Sequence, residues 1–339
     1  MGSSDGPPGL RPQRLLRLIR RSVAECGIDL GGATVLTEAA TGAYVVTPVI
    51  AALAAAGKVH AVTRGTRYGS VQEVVAQTDA LAALAGVADR IEIHTEIAPE
   101  LVGAADIVTN SGHLRPLDAS LVGGMRPGTV VPLMFEAWEI DLGRDDVDLA
   151  AMRRQGVRFA GTNERHPAVD VFSFLGSMAV KLLVDSAVAV RGSRLVVVCD
   201  NPFRRYLVDG LTAAGASVQD SDRLDDAQLT DGVDAVVVAL KPTGAPVLSA
   251  DDVARIARQA PGAVLAQFWG DLPRDACRQL DVPCVPAVEP GTGHMGVLPS
   301  ALGPEPVVRL QAGGLKVASV LLKPPEQRSA ADRSFLDEC

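Results

Sequence analysis

Aromatic side chains are scarce in this sequence: two Trp, three Tyr and seven Phe stand among 339 residues. Alanine, valine, leucine and glycine dominate instead. That mix fits parallel α/β layers better than an all-β sandwich. No apolar run reaches the roughly eighteen residues of a membrane-spanning helix, so no membrane partner is expected. Basic residues are outnumbered, 32 against 40 acidic, for a formal net charge of −8. The chain therefore lacks the basic excess usual in nucleic-acid binders, and no nucleic-acid partner is expected. The start, MGSSDGPPGLRP, has no apolar stretch before a cleavage site. The five cysteines, Cys26, Cys199, Cys277, Cys284 and Cys339, lack zinc-ligand spacing and do not make an even disulfide set. Cys277 and Cys284 are candidates for spatial proximity. No metal site is expected, and a reduced, cytoplasmic protein is the simplest reading.

The length suggests two domains. Residues 1–28 read as a disordered start followed by a helix, LRPQRLLRLIRRSVAECGIDL, with apolar positions at helical spacing. Such a helix either lies on a membrane surface or, the better expectation, packs on the first domain or on a partner protomer. From residue 29 to 165, short apolar runs alternate with helical segments: ATVLT, KVHAVT, RIEIH, ADIVTN, GTVVPLMF and GVRFAGTN are the expected strands. A long helix is predicted over 166–191, with Pro167 in its first turn. A second series, SRLVVVCD, ASVQDSD, DAVVVAL, GAVLAQFW and CVPAVEP, fills 192–308. A return helix follows over 309–325, and a polar, mobile tail over 326–339. The fold class expected is α/β, with two doubly wound parallel sheets and a cleft between the domains.

In open parallel sheets, ligands bind beyond the carboxyl ends of the strands. In the first domain that rule selects Glu38, Thr41 and Tyr44, Arg64 and Arg67, Asn110 with His113 and Arg115, Glu136 with Trp138, and Arg165. In the second it selects Asn201, Lys241, Trp269 with Asp271, and Glu289 with His294. Arg64 and Arg67 can clamp a carboxylate or a phosphate. The helix after TEAATG can present N–H groups to an anion, with Glu38 opposing a phosphate unless it faces away. His113 sits at an edge suited to proton transfer. His294, in the glycine-rich loop EPGTGHMGVLP, is the leading acid/base candidate, with Glu289 to orient it. Trp138 and Trp269 can wall a substrate or pack an interface.

Several stretches resemble the D-2-hydroxyacid dehydrogenase superfamily over residues 105 to 325. IDLGRDDVDLAAMRRQGVRFAGTN resembles its strand into the nucleotide domain, and HPAVDVFSFLGSMAVKLL its crossover helix. GSRLVVVCDNPFRRYLVDGLTAAGASV sits where its nucleotide-binding unit begins, and GHMGVLP resembles the loop of its catalytic histidine. The resemblance implies two Rossmann-like domains, a homodimer, an NAD or NADP cofactor, and hydride transfer to a small acid. It implies His294 as proton carrier and places cofactor contacts at Asn201, Arg204, Arg205, Asp220, Lys241 and Asp271. The sequence departs from that pattern in three places. CDNPFRRYL carries none of the fingerprint glycines, Trp269 stands near the family's catalytic arginine, and its glutamate has no counterpart at 282–285.

The functional expectation is an NAD(P)-dependent oxidoreductase for a small carboxylic acid. Arg64, Arg67 or Arg115 would replace the missing substrate arginine. The alternatives are a cofactor-independent lyase, hydrolase or cyclase using His294 and carboxylates such as Glu38, and a non-catalytic small-ligand-binding protein. A methyltransferase is a further possibility that TEAATG raises, although TRGTRYG lacks the acidic residue it needs.

Overall fold

The structure, a computed structural model, describes residues 7–142 and 146–338. The expected disordered start therefore lies outside the described residues as far as position 6, as do residues 143–145 and Cys339. The chain divides into two compact units. The first comprises the residues up to Val171 together with those from Gly303 on, and the second runs from Phe172 to Leu302.

The first unit opens with α1 (Pro12–Cys26), then β1 (Thr34–Glu38), α2 (Val46–Leu53), β2 (Lys58–Val62), α3 (Val71–Ala85) and β3 (Ile91–His94). It continues with α4 (Pro99–Ala104), β4 (Ile107–Val108), α5 (Ala119–Gly123), β5 (Val130–Leu133), α6 (Leu149–Gln155) and β6 (Arg158–Thr162). The second unit holds α7 (Leu175–Asp185), β7 (Arg194–Val198), α8 (Arg204–Ala213), β8 (Ser217–Ser221) and β9 (Ala235–Ala239). It ends with α9 (Ala250–Gln259), β10 (Val264–Trp269), α10 (Arg274–Gln279) and β11 (Cys284–Val285). The chain then returns to the first unit as α11 (Glu305–Leu322), α12 (Ala330–Arg333) and β12 (Leu336–Asp337).

The first sheet has the order β12-β6-β5-β4-β1-β2-β3, parallel except for β12. Without β12 this is the six-strand order of dinucleotide-binding sheets, and the order reverses between β1 and β4. Alternate residues of each central strand serve opposite helical layers, as a sheet buried on both faces requires. Val35 and Val130 pack with α1, α2 and α11, while Leu36 and Val131 pack with α4, α5 and α6. Leu15, Leu16, Leu18 and Ile19 of α1 are buried in the first of these layers. The helix thus packs on its own unit, with its arginines outward. Among the described residues no helix is long and apolar enough to cross a membrane.

The second sheet, β11-β10-β9-β7-β8, is parallel throughout and reverses between β7 and β9. Its order is that of flavodoxin-like units. α7 and α8 cross at Gly176 and Gly210, where a Cβ on Gly176 would lie 2.6 Å from the Gly210 Cα.

Two expectations change. The long helix does not start at Pro167. The Val169 and Asp170 amides both turn back to the His166 carbonyl, and Asp170 sits at φ 44°. A left-handed residue interrupts a right-handed helix, so regular α-helix begins only at Leu175. The tail is also docked rather than mobile. Phe335 is buried, its ring stacked on His166 at 3.7 Å, and β12 pairs with β6. Ser329 caps α12 in a reciprocal box with Asp332, whose carboxylate also holds Lys323. Ser329→Ala is expected to cost about 1 kcal/mol, read as a lower urea midpoint at unchanged slope. An unchanged midpoint would contradict the docking.

Candidate functional site

β1 and β4 separate the two halves of the first sheet, and in sheets of this kind ligands bind in the crevice at the carboxyl ends where the strand order reverses. Leu36 pairs with Val108, so Glu38 and Asn110 leave the sheet side by side. Thr37, Thr109 and Ser111 join through their hydroxyls, at 2.8 Å for each link. The backbone then turns at Gly112, with φ +40°, and a Cβ there would overlap the Glu38 carboxyl. Only glycine leaves room for that carboxyl and accepts that backbone. Glu38 is 5% exposed and accepts the His113 backbone N–H. Arg115 donates from Nε to the Asn110 carbonyl at 2.6 Å and lies 3.4 Å from Asp146. Asn110 Oδ1 accepts the Met134 amide at 2.7 Å, but its buried Nδ2 has no partner among the described residues. Such a donor is costly unless a ligand or water meets it.

The electrostatics follow from burial. Desolvation pushes the Glu38 carboxyl up to about 7, although Arg115 and the His113 amide pull it down. Below that pH Glu38 carries its proton and does not oppose an anion. Burial holds the His113 imidazole below its ordinary value, and the Arg64 guanidinium adds to this. Arg64 itself is exposed and makes no hydrogen bond or ion pair among the described residues. The structure thus brings together Glu38, Arg64, His113 and Arg115.

Other candidates of this unit have structural partners. Thr41 donates to the Tyr68 carbonyl, and Arg67 bonds the Tyr68 hydroxyl and lies over its ring. Tyr44 packs against the core layer of α1, α2 and α11. Trp138 donates from its indole to Glu136, a fully buried carboxylate that Arg165 also holds at 2.9 Å. The amides of Ala40 and Thr41 donate to nothing among the described residues, while that of Gly42 meets the Gln77 side chain.

In the second unit His294 and Glu289 are both exposed, and no hydrogen bond joins them. Trp269 is buried, donates to the Gly293 carbonyl and leans on Phe203. Asp271 accepts the Gly293 amide. These two side chains anchor the His294 loop. Asn201 bonds the Ala239 carbonyl and the Phe203 amide, and the Lys241 amide bonds Asp200. Arg204 is held by the Cys199 carbonyl and pairs with Asp220 and Asp222. Arg205 lies over Tyr206. A cleft of about 660 Å³ beside these residues is lined by Asp200, Asp209, Asp220 and Asp222 as well as the two arginines.

A nicotinamide dinucleotide needs amides or cations free to meet its pyrophosphate. The loop after β7 offers fewer of these than a glycine loop would. Pro202 has no N–H, the Phe203 amide is taken by Asn201, and Arg204 pairs with Asp220 and Asp222, which leaves Arg205 and the amides of Asp200 and Asn201. The turn after β1 fits a phosphate better. The Ala40 and Thr41 amides have no partner among the described residues, the Glu38 carboxyl holds its proton up to about pH 7, and Arg64 follows β2, where the ribose 2′ substituent is read.

No protein-family model matches the chain, and no curated protein does. Solved structures do match. A dipicolinate synthase polypeptide from Bacillus halodurans gives a TM-score of 0.55 at 11% identity, covering 87% of this chain and 100% of its own. The pyruvate reductase of Chlamydomonas reinhardtii gives 0.52 at 13%, covering 88% and 98%. The corresponding dipicolinate synthase polypeptide from Bacillus subtilis gives 0.52 at 8%, covering 84% and 95%. At these identities the likeness is one of fold: the chain is built on the two-unit α/β scaffold that these proteins share.

Proposed function

We propose that the chain is an oxidoreductase for a small carboxylic acid, with NADP(H) as its cofactor and its ligand site at the β1–β4 crevice of the first unit. The observation that carries this reading is Arg64, exposed, without an ion pair among the described residues and near enough to His113 to lower its pKa, beside a buried Glu38 whose pKa is raised to about 7. The scaffold's likeness to a pyruvate reductase supports the redox class. Bound nicotinamide supplies the hydride. The chain's own residues do the rest. Arg64 and the Ala40 and Thr41 amides bind the nucleotide phosphates. Asn110 Nδ2 donates to a ligand oxygen. His113 exchanges the proton at the substrate oxygen, and Glu38 positions it through its backbone N–H. A homodimer in the cytoplasm belongs to the same reading, and sedimentation velocity tests the assembly.

NADPH turnover against a panel of 2-oxo acids tests the proposal. His113→Gln is expected to lower kcat about 100-fold while leaving NADPH binding in place. Absence of saturable NADPH or NADH binding at millimolar nucleotide would sink the redox reading. The filled loop after β7 favours a second reading, cofactor-independent acid–base chemistry at the same His113. Turnover without nucleotide, lost in His113→Gln, would establish it.

A further inference from the structure

β3 forms the outer edge of the first sheet, and in strands residues two apart share a face. Glu92 and His94 are such a pair, and His60 on β2 is in register with Glu92. The three side chains converge. His60 Nδ1 lies 3.0 Å from His94 Nε2, and the Glu92 oxygens lie 3.8 Å from the first nitrogen and 3.9 Å from the second. One candidate ligand atom from each residue falls within 4.8 Å of the others.

We propose that His60, Glu92 and His94 form a binding site for a divalent transition-metal ion, with zinc(II) its best match. Two imidazoles and a carboxylate are the ligand set of open, three-residue zinc sites. With bonds of about 2.0–2.1 Å, tetrahedral ligand atoms stand about 3.3 Å apart. The two nitrogens must open by only a few tenths of an ångström, and the carboxylate must close by about half an ångström. Glu92 is half-exposed and free to rotate inward. The histidine side chains are only 15% and 22% exposed, so packing has already fixed them. Three protein ligands leave a fourth position to water or an external ligand. Lys58 is the competitor: its ammonium lies 3.1 Å from Glu92 and must give way to the cation. The site shares no residue with the β1–β4 crevice, so it stands or falls independently of the proposed activity.

Metal-free full-length protein titrated with zinc(II) by calorimetry, and with cobalt(II) as a spectroscopic probe, tests the site. One equivalent per chain is expected to bind. His94→Ala is expected to weaken binding about 100-fold, and Glu92→Gln about 10-fold. Glu92 is the safer variant, since its exposed side chain carries no core packing. Lys58→Met is expected to tighten binding several-fold, an effect that damage to the fold would not produce. Cys277 and Cys284, hydrogen-bonded to each other in the second unit, offer a rival thiolate site. A cobalt–thiolate band lost in Cys284→Ser would overturn the proposal. So would affinity unchanged by both His94→Ala and Glu92→Gln, or no saturable binding at all.

Discussion

Gly112→Ala is expected to destabilise the first unit by about 2–5 kcal/mol. Two independent costs add. A non-glycine residue at φ +40° carries about 1–2 kcal/mol of backbone strain. The new methyl also overlaps the Glu38 carboxyl, which is buried and held by the His113 amide, so overpacking adds about 1–3 kcal/mol. Urea denaturation measures the sum, and a double-mutant cycle separates the parts. In a Glu38→Ala background the second cost vanishes, so Gly112→Ala should then cost only the strain. A loss equal in both backgrounds would show that the two residues do not press on one another. A loss below about 1 kcal/mol would contradict the geometry altogether.

Glu38→Gln is expected to change how stability depends on pH. The native carboxyl titrates at about 7 against an ordinary value of 4.5. Below 4.5 both folded and unfolded chains carry the proton, and the group makes no demand. Between 4.5 and 7 the unfolded chain releases the proton while the native one retains it. Stability therefore falls as pH rises through that window, by about 3 kcal/mol in all, and the loss is complete above 7. Glutamine cannot titrate, so the variant lacks this fall. Wild type and variant should thus diverge steadily from pH 4.5 to 8 in favour of glutamine. Parallel stability curves would mean that Glu38 is charged in the native state and that the crevice repels anions.

Much of the scaffold is readable in the chain. Short Val-rich runs such as LVVV and AVVVA, spaced by helical segments, read as central parallel strands, and these two pair in the second sheet. The carboxyl-end rule likewise finds Glu38, Arg64, His113 and Arg115. Their convergence is not readable, because it depends on strand order: β4 returns beside β1, and nothing local to TEAATG or TNSGHLRP states that. Gly112 illustrates the same limit, since its partner Glu38 stands on another strand. His60 and His94 escape for a related reason. Each reads as a strand residue, and only the β2–β3 register sets them side by side. The long helix fails locally: HPAVDVFSF has helical composition, but the left-handed Asp170 breaks it. The tail fails tertiarily, because one buried Phe335 outweighs a polar neighbourhood. His294 stands out by its loop and its resemblance, yet it is exposed and no hydrogen bond joins it to Glu289.

The central claim is that an anionic nucleotide binds the crevice of the first unit rather than the arginine loop of the second. Calorimetric titration of NADPH into wild type, Arg64→Ala and Arg204→Ala tests it most directly. The account predicts binding weakened about 10- to 100-fold by Arg64→Ala and unchanged by Arg204→Ala. Binding lost in Arg204→Ala and retained in Arg64→Ala would contradict it.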